Sequence, residues 1–164
     1  MPALKILKYP DPILKKVSEE VTGIDEDLRP FISGLVDTMK ASPGVGLAAV
    51  QVGVLKRIIA VDVTPGHPGH GLIVLINPQI RSSRGRRRGR EGCLSVPEFT
   101  ANITRAEEVR VFGFTPEGEE WFIEAEGFEA VALQHEIDHL DGILFIDRIT
   151  DMKRDLFKRK ITPP

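Results

Sequence analysis

Residues 127–142 read Gly-Phe-Glu-Ala-Val-Ala-Leu-Gln-His-Glu-Ile-Asp-His-Leu-Asp-Gly, and this stretch predicts the helix around which the rest of the chain is arranged. Five of its residues share one stripe of a helix, at offsets 0, 3, 4, 7 and 11: Phe128, Val131, Ala132, His135 and His139. Gly142 is suited to end the helix, because glycine is preferred just after a helix C-terminus. A helix with two histidines on an apolar stripe predicts a buried site.

The segments before this helix predict antiparallel strands and further helices. The expected strands cover Arg57–Val63, Leu72–Ile76, Val109–Phe112 and, after a turn at Pro116–Glu119, Trp121–Glu126. A helix is expected where apolar residues recur at helical spacing: Leu28, Phe31, Ile32, Leu35, Val36 and Met39. Asp25 or Asp27 would be its N-cap and Gly44 lies beyond its end, while a short helix over Ile13–Val17 follows the turn Tyr9–Pro12.

Together these elements predict an α+β fold. Antiparallel β-sheets would pack around a central metal-binding helix, with an N-terminal helix and a C-terminal helix. No internal repeat or long linker interrupts the chain, so residues 1–164 are expected to form a single catalytic domain. The Gly/Arg stretch Arg84–Arg90 is expected to be an exposed loop within that domain.

The overall composition excludes several classes of protein. The chain has 164 residues, a formal net charge of -2 and a single cysteine. The charge argues against a dedicated nucleic-acid binder with a uniformly basic surface, and we expect no DNA partner. One cysteine excludes an intrachain disulfide. No apolar run approaches the roughly 20 residues of a membrane span and the N-terminus lacks a secretory pattern, so we expect a cytoplasmic protein with no membrane partner.

The central helix carries a His-Glu-x-x-His pattern at residues 135–139. One helical turn separates His135 from His139, so both imidazoles can reach one metal ion, and Glu136 can act on a water held there. Two unrelated histidines on a core helix are the alternative interpretation. A chance match is rare in a chain with four histidines, and we therefore expect a metal.

A third metal ligand must come from outside the helix, because a catalytic site usually has three protein ligands and an open position. In one group of proteases a third histidine lies six residues after the second, but this chain has Phe145 there, and no glutamate follows Glu136. A lone cysteine is more often a buried hydrophobe than a ligand. Cys93 is nevertheless the preferred candidate, because turn-forming and polar residues flank it in Glu91–Pro97.

A third segment, Gly44–Gln51, reads Gly-Val-Gly-Leu-Ala-Ala-Val-Gln. Its glycines allow a ligand to approach the backbone closely, and its paired alanines allow tight packing. A phosphate-binding loop or simple packing at a helix end are the alternatives. No Lys-Ser/Thr pair follows the glycines, so the nucleotide interpretation is weak.

Taken in order, Gly44–Gln51, Glu91–Pro97 and Gln134–Gly142 resemble the three signature motifs of the peptide deformylase family. The resemblance extends from the Tyr9–Pro12 opening to Leu144–Asp147, so it covers nearly the whole chain. It implies a metal-dependent hydrolase that removes the N-formyl group from the N-terminal formylmethionine of newly synthesised polypeptides and releases formate. The implied cofactor is one divalent metal ion, Fe²⁺ in the cell, with Zn²⁺, Ni²⁺ or Co²⁺ as replacements.

The resemblance also implies a role for each motif residue. Cys93, His135 and His139 would be the metal ligands, with water as the fourth, and Glu136 the general base and acid. Gln51 and the backbone N–H of Leu94 would face the formyl oxygen, and Gly46 would hydrogen-bond the substrate backbone. An apolar groove is expected to take the methionine side chain, and its candidate residues are Val45, Val131, Ala132 and His135.

Basic residues are concentrated in two places. Six arginines lie within residues 81–90, and Arg90 stands where this family often has an acidic residue. The C-terminal stretch Asp151–Lys160 is also basic, and similar deformylases end in a helix that can dock on the ribosome. We therefore expect this helix, aided by the arginine stretch, to contact ribosomal RNA, through these residues: Lys153, Arg154, Lys158, Arg159 and Lys160. A solvated helix face and a solvated loop are the alternative.

Two other functions are consistent with part of the sequence. A zinc endopeptidase would share the His-Glu-x-x-His element, but the downstream ligands are missing and Cys93 has no role in it. A non-enzymatic protein of the same fold would lack catalytic residues, yet every expected one is present. A formyl-specific activity separates the enzyme from both alternatives.

Overall fold

The computed structural model describes residues 3–159 and contains eight strands and three α-helices. The helices are α1 (Leu28–Lys40), α2 (Gly127–Leu140) and α3 (Met152–Asp155). The strands are β1 (Gly46–Ala48), β2 (Ile58–Val61), β3 (Ile73–Arg84), β4 (Arg87–Cys93), β5 (Val96–Arg105), β6 (Glu108–Phe114), β7 (Glu120–Glu126) and β8 (Leu156–Lys158). Short 3-10 helices cover Pro12–Lys15, Ala49–Val52 and Phe145–Arg148.

Two antiparallel sheets surround the central helix. One has five strands in the order β1-β2-β3-β6-β7, and the other has three in the order β4-β5-β8. The α+β fold expected from the sequence is confirmed. None of the helices within residues 3–159 combines the length and apolar character that a membrane crossing requires.

Strand β2 and residues 73–76 of β3 are buried on both faces, which explains their continuous apolar sequences, whereas residues 79–84 of β3 are exposed. Ile59 and Leu75 belong to the core that contains α2, whereas Ile58 and Ile76 pack with the apolar face of α1. The five-stranded sheet therefore separates α1 from α2. Helix α1 begins at the expected place, although Asp27 makes no side-chain cap and the carboxylate of Asp25 instead accepts from the Asp27 backbone N–H at 3.0 Å.

Helix α2 is buried on nearly every side. A stripe of apolar residues packs into the core formed with the five-stranded sheet: Ala130, Leu133, Ile137 and Leu140. The stripe expected from the sequence places His135 and His139 toward β4, on another side of the helix. Gly142 follows the helix with φ 73°, and a Cβ atom there would overlap the backbone of Lys15. This close approach explains why glycine ends the helix.

The structure corrects the expected loop at Arg84–Arg90. Strand β3 runs to Arg84 and β4 starts at Arg87, so only Gly85 and Arg86 lie between these two strands. Gly85 has φ 76°, a conformation that glycine adopts without strain. The arginines are exposed, as expected, but most of this stretch is strand. The following strand, β5, was not expected from the sequence.

The C-terminal helix expected over Asp151–Lys160 is present only as the single turn of α3, and Lys160 lies outside the described residues. The chain then continues as β8, which pairs with β5. Asp155 accepts a hydrogen bond from Arg88, and the guanidinium of Arg90 lies 3.7 Å from the centroid of the Phe157 ring. Strand β4 therefore helps to hold the C-terminal segment in place.

Candidate metal centre

The structure brings together the three residues proposed from the sequence as metal ligands. Cys93 ends β4, while His135 and His139 lie one turn apart on α2, and their ligand atoms lie within 4.8 Å of one another. The Sγ of Cys93 is 3.3 Å from Nε2 of His139. All three side chains are buried, so the group can exclude bulk water from a bound ion.

The donor set fits a divalent transition metal. One thiol and two imidazoles are ligands that Fe²⁺, Zn²⁺, Ni²⁺ and Co²⁺ accept. Nδ1 of His135 lies 2.9 Å from Oε1 of Glu91, which leaves its Nε2 available for a metal. Burial lowers the pKa of His139 well below its usual value, as does the charge of His135, so this ring stays neutral, the form that binds metals.

The carboxylate of Glu136 lies beside these donors on the same turn of α2. Its side chain is buried, and its Oε1 has no hydrogen-bond partner among residues 3–159. Burial raises the pKa of Glu136 to about 7 when no metal ion is bound, although the charges of His135 and Arg105 oppose the rise. A carboxyl group with a pKa near neutrality can both take up and release a proton.

Gly46 in β1 provides the space that this carboxylate occupies. A Cβ atom on Gly46 would overlap Oε2 of Glu136 and lie 2.9 Å from its Cδ and Cγ. The backbone of Gly46 also pairs with Val61 in β2. The small residue that the sequence placed near the substrate is therefore in contact with the candidate general base.

Gln51 is held in one orientation by its neighbours. Its Oε1 accepts a hydrogen bond from the backbone N–H of Ala48 at 2.9 Å, and its Nε2 donates to Oγ of Ser95 at 3.1 Å. The same Nε2 lies 3.6 Å from the Cys93 sulfur. Leu94 follows Cys93 directly, and its side chain packs over Gly44. Gln51 thus places an N–H donor beside the metal ligands.

The groove expected from the sequence stays a prediction. Val131 is 9% exposed and Ala132 is 5% exposed, so little of either side chain is open to solvent. Val45 is partly buried and packs with the core around α2. A cavity of about 1150 Å³ opens at the N-terminal end of α2, where Phe128 contributes to its wall, but none of the groove candidates lines it.

Glu91 and Arg105 were not identified as site residues from the sequence. Both are buried, and Nε and Nη2 of Arg105 donate to the two oxygens of Glu91 at 2.8 and 2.9 Å. Burial raises the pKa of Glu91, but the hydrogen bonds from Arg105 and His135 outweigh it and lower the pKa to about 2. An ionised Glu91 fixes the ring orientation of His135. The signal in the sequence was the position of Glu91 two residues before Cys93, because residues two apart in a strand project to the same side.

Comparison with known proteins supports one family. The model of the family described as polypeptide deformylase matches residues 3–155. A peptide deformylase of Thermodesulfovibrio yellowstonii is 52% identical over 160 residues, which cover 98% of this chain and 97% of that protein. The crystal structure of a peptide deformylase from Legionella pneumophila is similar, with a TM-score of 0.86, 42% identity, and coverage of 93% of this chain and 89% of that one. The structure of peptide deformylase from Thermotoga maritima also has a TM-score of 0.86, with 39% identity, over 92% of this chain and 100% of that one.

Proposed function

The chain belongs to the peptide deformylase family, and on this premise we propose that Cys93, His135 and His139 hold the catalytic metal while Glu136 transfers the proton. The protein is a metal-dependent hydrolase that removes the N-formyl group from the N-terminal formylmethionine of newly synthesised polypeptides and releases formate. The observation that carries the residue assignment is the convergence of one sulfur and two imidazoles within 4.8 Å, next to a buried carboxylate. Residues 1–164 would form one catalytic domain.

The metal in the cell would be Fe²⁺, and Zn²⁺, Ni²⁺ or Co²⁺ would replace it. The mixed sulfur and nitrogen donors support this choice, because they suit borderline transition metals better than Mg²⁺ or Ca²⁺. When bound, the ion would polarise the formyl oxygen and lower the pKa of a water at the site.

Glu136 would act first as a base and then as an acid. As the oxygen of water adds to the formyl carbon, the Glu136 carboxylate accepts a proton from that water. When the carbon–nitrogen bond breaks, the same proton passes to the departing nitrogen, which leaves as the free amino group of methionine. The position of this buried carboxylate beside the ligands supports the role, because its Oε1 has no other hydrogen-bond partner among residues 3–159.

Gln51 and the backbone N–H of Leu94 would stabilise the negative charge that develops on the formyl oxygen. The fixed orientation of the Gln51 amide supports this role, because its Nε2 is directed at the metal ligands before substrate arrives. A donor set in place in advance contributes roughly 3 kcal/mol to such a transition state.

Gly46 would hydrogen-bond the substrate backbone, and Val45, Val131, Ala132 and His135 would line the groove for the methionine side chain. The helical spacing of the last three residues supports a shared wall. An apolar pocket distinguishes side chains by only about 1–3 kcal/mol per methylene, so residues close to methionine in size should be partly accepted.

The basic C-terminal segment would contact ribosomal RNA in the cytoplasm. Lys153, Arg154, Lys158 and Arg159 support this proposal, although the segment forms a helical turn and a strand instead of a long helix. The arginine stretch would contribute less than expected, because Arg84 pairs with Glu108 and Arg88 pairs with Asp155, and Arg154 of the tail also pairs with Asp155. A variant with the basic tail neutralised should bind ribosomes more weakly at low salt, and unchanged binding would rule out this contact.

The enzymatic assignment is tested on formyl-Met and acetyl-Met tripeptides with protein purified without oxygen. Wild-type protein should release formate from the first and leave the second intact. Glu136→Gln should keep its metal and lose about 10²–10⁴-fold in kcat. Cys93→Ala should lose its metal, and a Cys93→Ala protein that keeps both metal and full activity would show that the third ligand is wrong.

A further inference from the structure

A chain of ion pairs continues beyond Glu91, away from the candidate metal ligands. Arg105 not only contacts Glu91 but also donates through Nη1 to Oδ2 of Asp138 at 2.6 Å. Asp138 is in turn held by Arg148, whose Nε lies 2.5 Å from Oδ2 and whose Nη2 lies 2.7 Å from Oδ1. The order from the site outward is therefore His135, Glu91, Arg105, Asp138 and Arg148.

The inner members of this chain of ion pairs are buried, and its outer end is exposed. The side chains of Glu91 and Arg105 are 6% and 3% exposed, that of Asp138 is 11% exposed, and that of Arg148 is 44% exposed. The two carboxylates and two guanidiniums carry no net charge together. If Arg148 were removed, three buried groups with a net negative charge would remain beside the metal site. Burial of an unbalanced charge is unfavourable, so the inner pairs would rearrange.

These ion pairs connect four elements of the fold around the metal site. His135 and Asp138 both belong to α2 and lie three residues apart, so they project from neighbouring positions on the helix. Glu91 comes from β4 and Arg105 from β5, and their hydrogen bonds join the two strands to both ends of that helical turn. Arg148 comes from the 3-10 helix at Phe145–Arg148 and holds Asp138 from the solvent side.

We propose that Asp138 and Arg148 are positioning residues for this metal site. They act through Arg105 and Glu91 to hold the His135 ring with its Nε2 directed toward Cys93 and His139. Among residues 3–159, the side chains of Asp138 and Arg148 hydrogen-bond each other, Asp138 also accepts from Arg105, and neither hydrogen-bonds a proposed metal ligand. The inference rests on the proposed function, because it assigns a supporting role to residues around the same site.

The test compares Arg148→Ala and Arg148→Lys with Arg84→Ala as a matched control. Arg84 also hydrogen-bonds a carboxylate, that of Glu108 at 2.7 Å, but this pair has no link to His135. Each protein is loaded with Co²⁺, and two properties are followed: the visible absorption of the bound ion and the rate of ion loss to a chelator. kcat and KM are measured separately on formyl-Met tripeptide.

We expect Arg148→Ala to lose Co²⁺ roughly 10-fold faster or more, with a changed visible spectrum. Its kcat should fall while its KM stays within about twofold of wild type, because the substrate contacts are intact. Arg148→Lys keeps the charge and at least one hydrogen-bond donor, so its rate of Co²⁺ loss and its kcat should lie between those of Arg148→Ala and wild type. Arg84→Ala should match wild type in every measurement.

The inference is overturned if folded Arg148→Ala equals Arg84→Ala in ion loss, spectrum and kcat. If Arg148→Ala does not fold, Arg148→Lys and Asp138→Asn carry the same comparison, and wild-type behaviour of both would overturn it equally. Failure of the proposed function is recognised separately. In that case the wild-type protein itself would bind no metal or would not release formate.

Discussion

Replacing Gly46 with alanine should displace the carboxylate of Glu136, the candidate general base. A Cβ atom built on Gly46 would overlap Oε2 of Glu136 and lie 2.9 Å from its Cδ and Cγ, whereas carbon atoms pack at roughly 3.5–4.0 Å. The carboxylate must therefore move by up to about 1 Å, and a misplacement of that size can lower the rate about 10²-fold. Gly46 does not have a positive φ, so alanine causes no backbone strain there.

The assay is kcat and KM for formate release from formyl-Met tripeptide, with the metal content measured on the same sample. Gly46→Ala should lower kcat about 10²-fold while the metal content stays normal. Gly44→Ala is the matched control, because the three atoms nearest to its new Cβ would all belong to the side chain of Leu94, with Cδ1 at 3.1 Å. A leucine side chain can shift slightly, so this control should lose little activity.

A double mutant separates the clash from other effects of the substitution. If Gly46→Ala acts by displacing Glu136, the same change made in a Glu136→Ala protein should cause no further loss of activity. A 10²-fold loss that persists without the Glu136 carboxylate would refute this explanation. So would wild-type activity of Gly46→Ala itself, because it would mean that the carboxylate does not need its present position.

Three further changes test other parts of the structure. Hydrogen bonds from Arg154 and then Arg88 lower the pKa of Asp155 below its usual 3.8, so its ionised form stabilises the fold above that pH. Asp155→Asn should lower the melting temperature at pH 7. The difference in melting temperature from wild type should disappear as the pH falls through the lowered pKa of Asp155. A difference that stays constant with pH would contradict this. Gly142→Ala should lower the free energy of unfolding, measured in urea, by about 2 kcal/mol or more, because Gly142 has φ 73° and no room for a Cβ. An unchanged unfolding midpoint would contradict this. Removal of the metal with a chelator should lower the melting temperature, since an ion present at 100 times its Kd adds about 2.7 kcal/mol; a Cys93→Ser variant should show no such response.

The sequence predicted the parts of the fold that carry a periodic apolar pattern. Helix α1 and helix α2 lie where helical spacing placed them, and β2, β6 and β7 lie within or close to the expected segments. Helix α1, β6 and β7 bury one face, so their residue types follow the geometry, and β2 is a fully buried apolar run. His135 and His139 lie together as expected, because a spacing of four residues puts them one helical turn apart. Cys93 joins them from the end of β4, also as expected, although no helical spacing determines its position.

Strands β4 and β5 were missed for a physical reason. The residues Arg87–Arg90 are all exposed, so no apolar alternation marks β4 until Glu91 and Cys93 turn inward. The first half of β5 contains proline and polar residues and is only partly buried. The C-terminal segment was expected to be a helix because its residues favour one, but backbone pairing with β5 determines its conformation instead.

The ion pair between Glu91 and Arg105 shows a second limit of prediction from sequence. Their contact depends on the antiparallel register of β4 and β5, in which Glu91 lies opposite Ala101 and Arg87 opposite Arg105. No local pattern gives that register, so a buried ion pair between residues 14 positions apart cannot be recognised from either residue. The cluster becomes visible only when the strands and α2 are placed together.

Helix α2 explains why this site combines stability with reactivity. Its sheet-facing stripe packs in the core with residues such as Leu133 and Ile137, so the position of the helix does not depend on the metal. Its other side carries Glu136 and His139, each with a buried polar atom that lacks a partner among residues 3–159. Such atoms destabilise a folded chain unless a ligand satisfies them. The apolar stripe therefore offsets the unfavourable burial of the catalytic groups. The unsatisfied Oε1 of Glu136 remains available for the proton transfer, while His139 faces Cys93 through its Nε2.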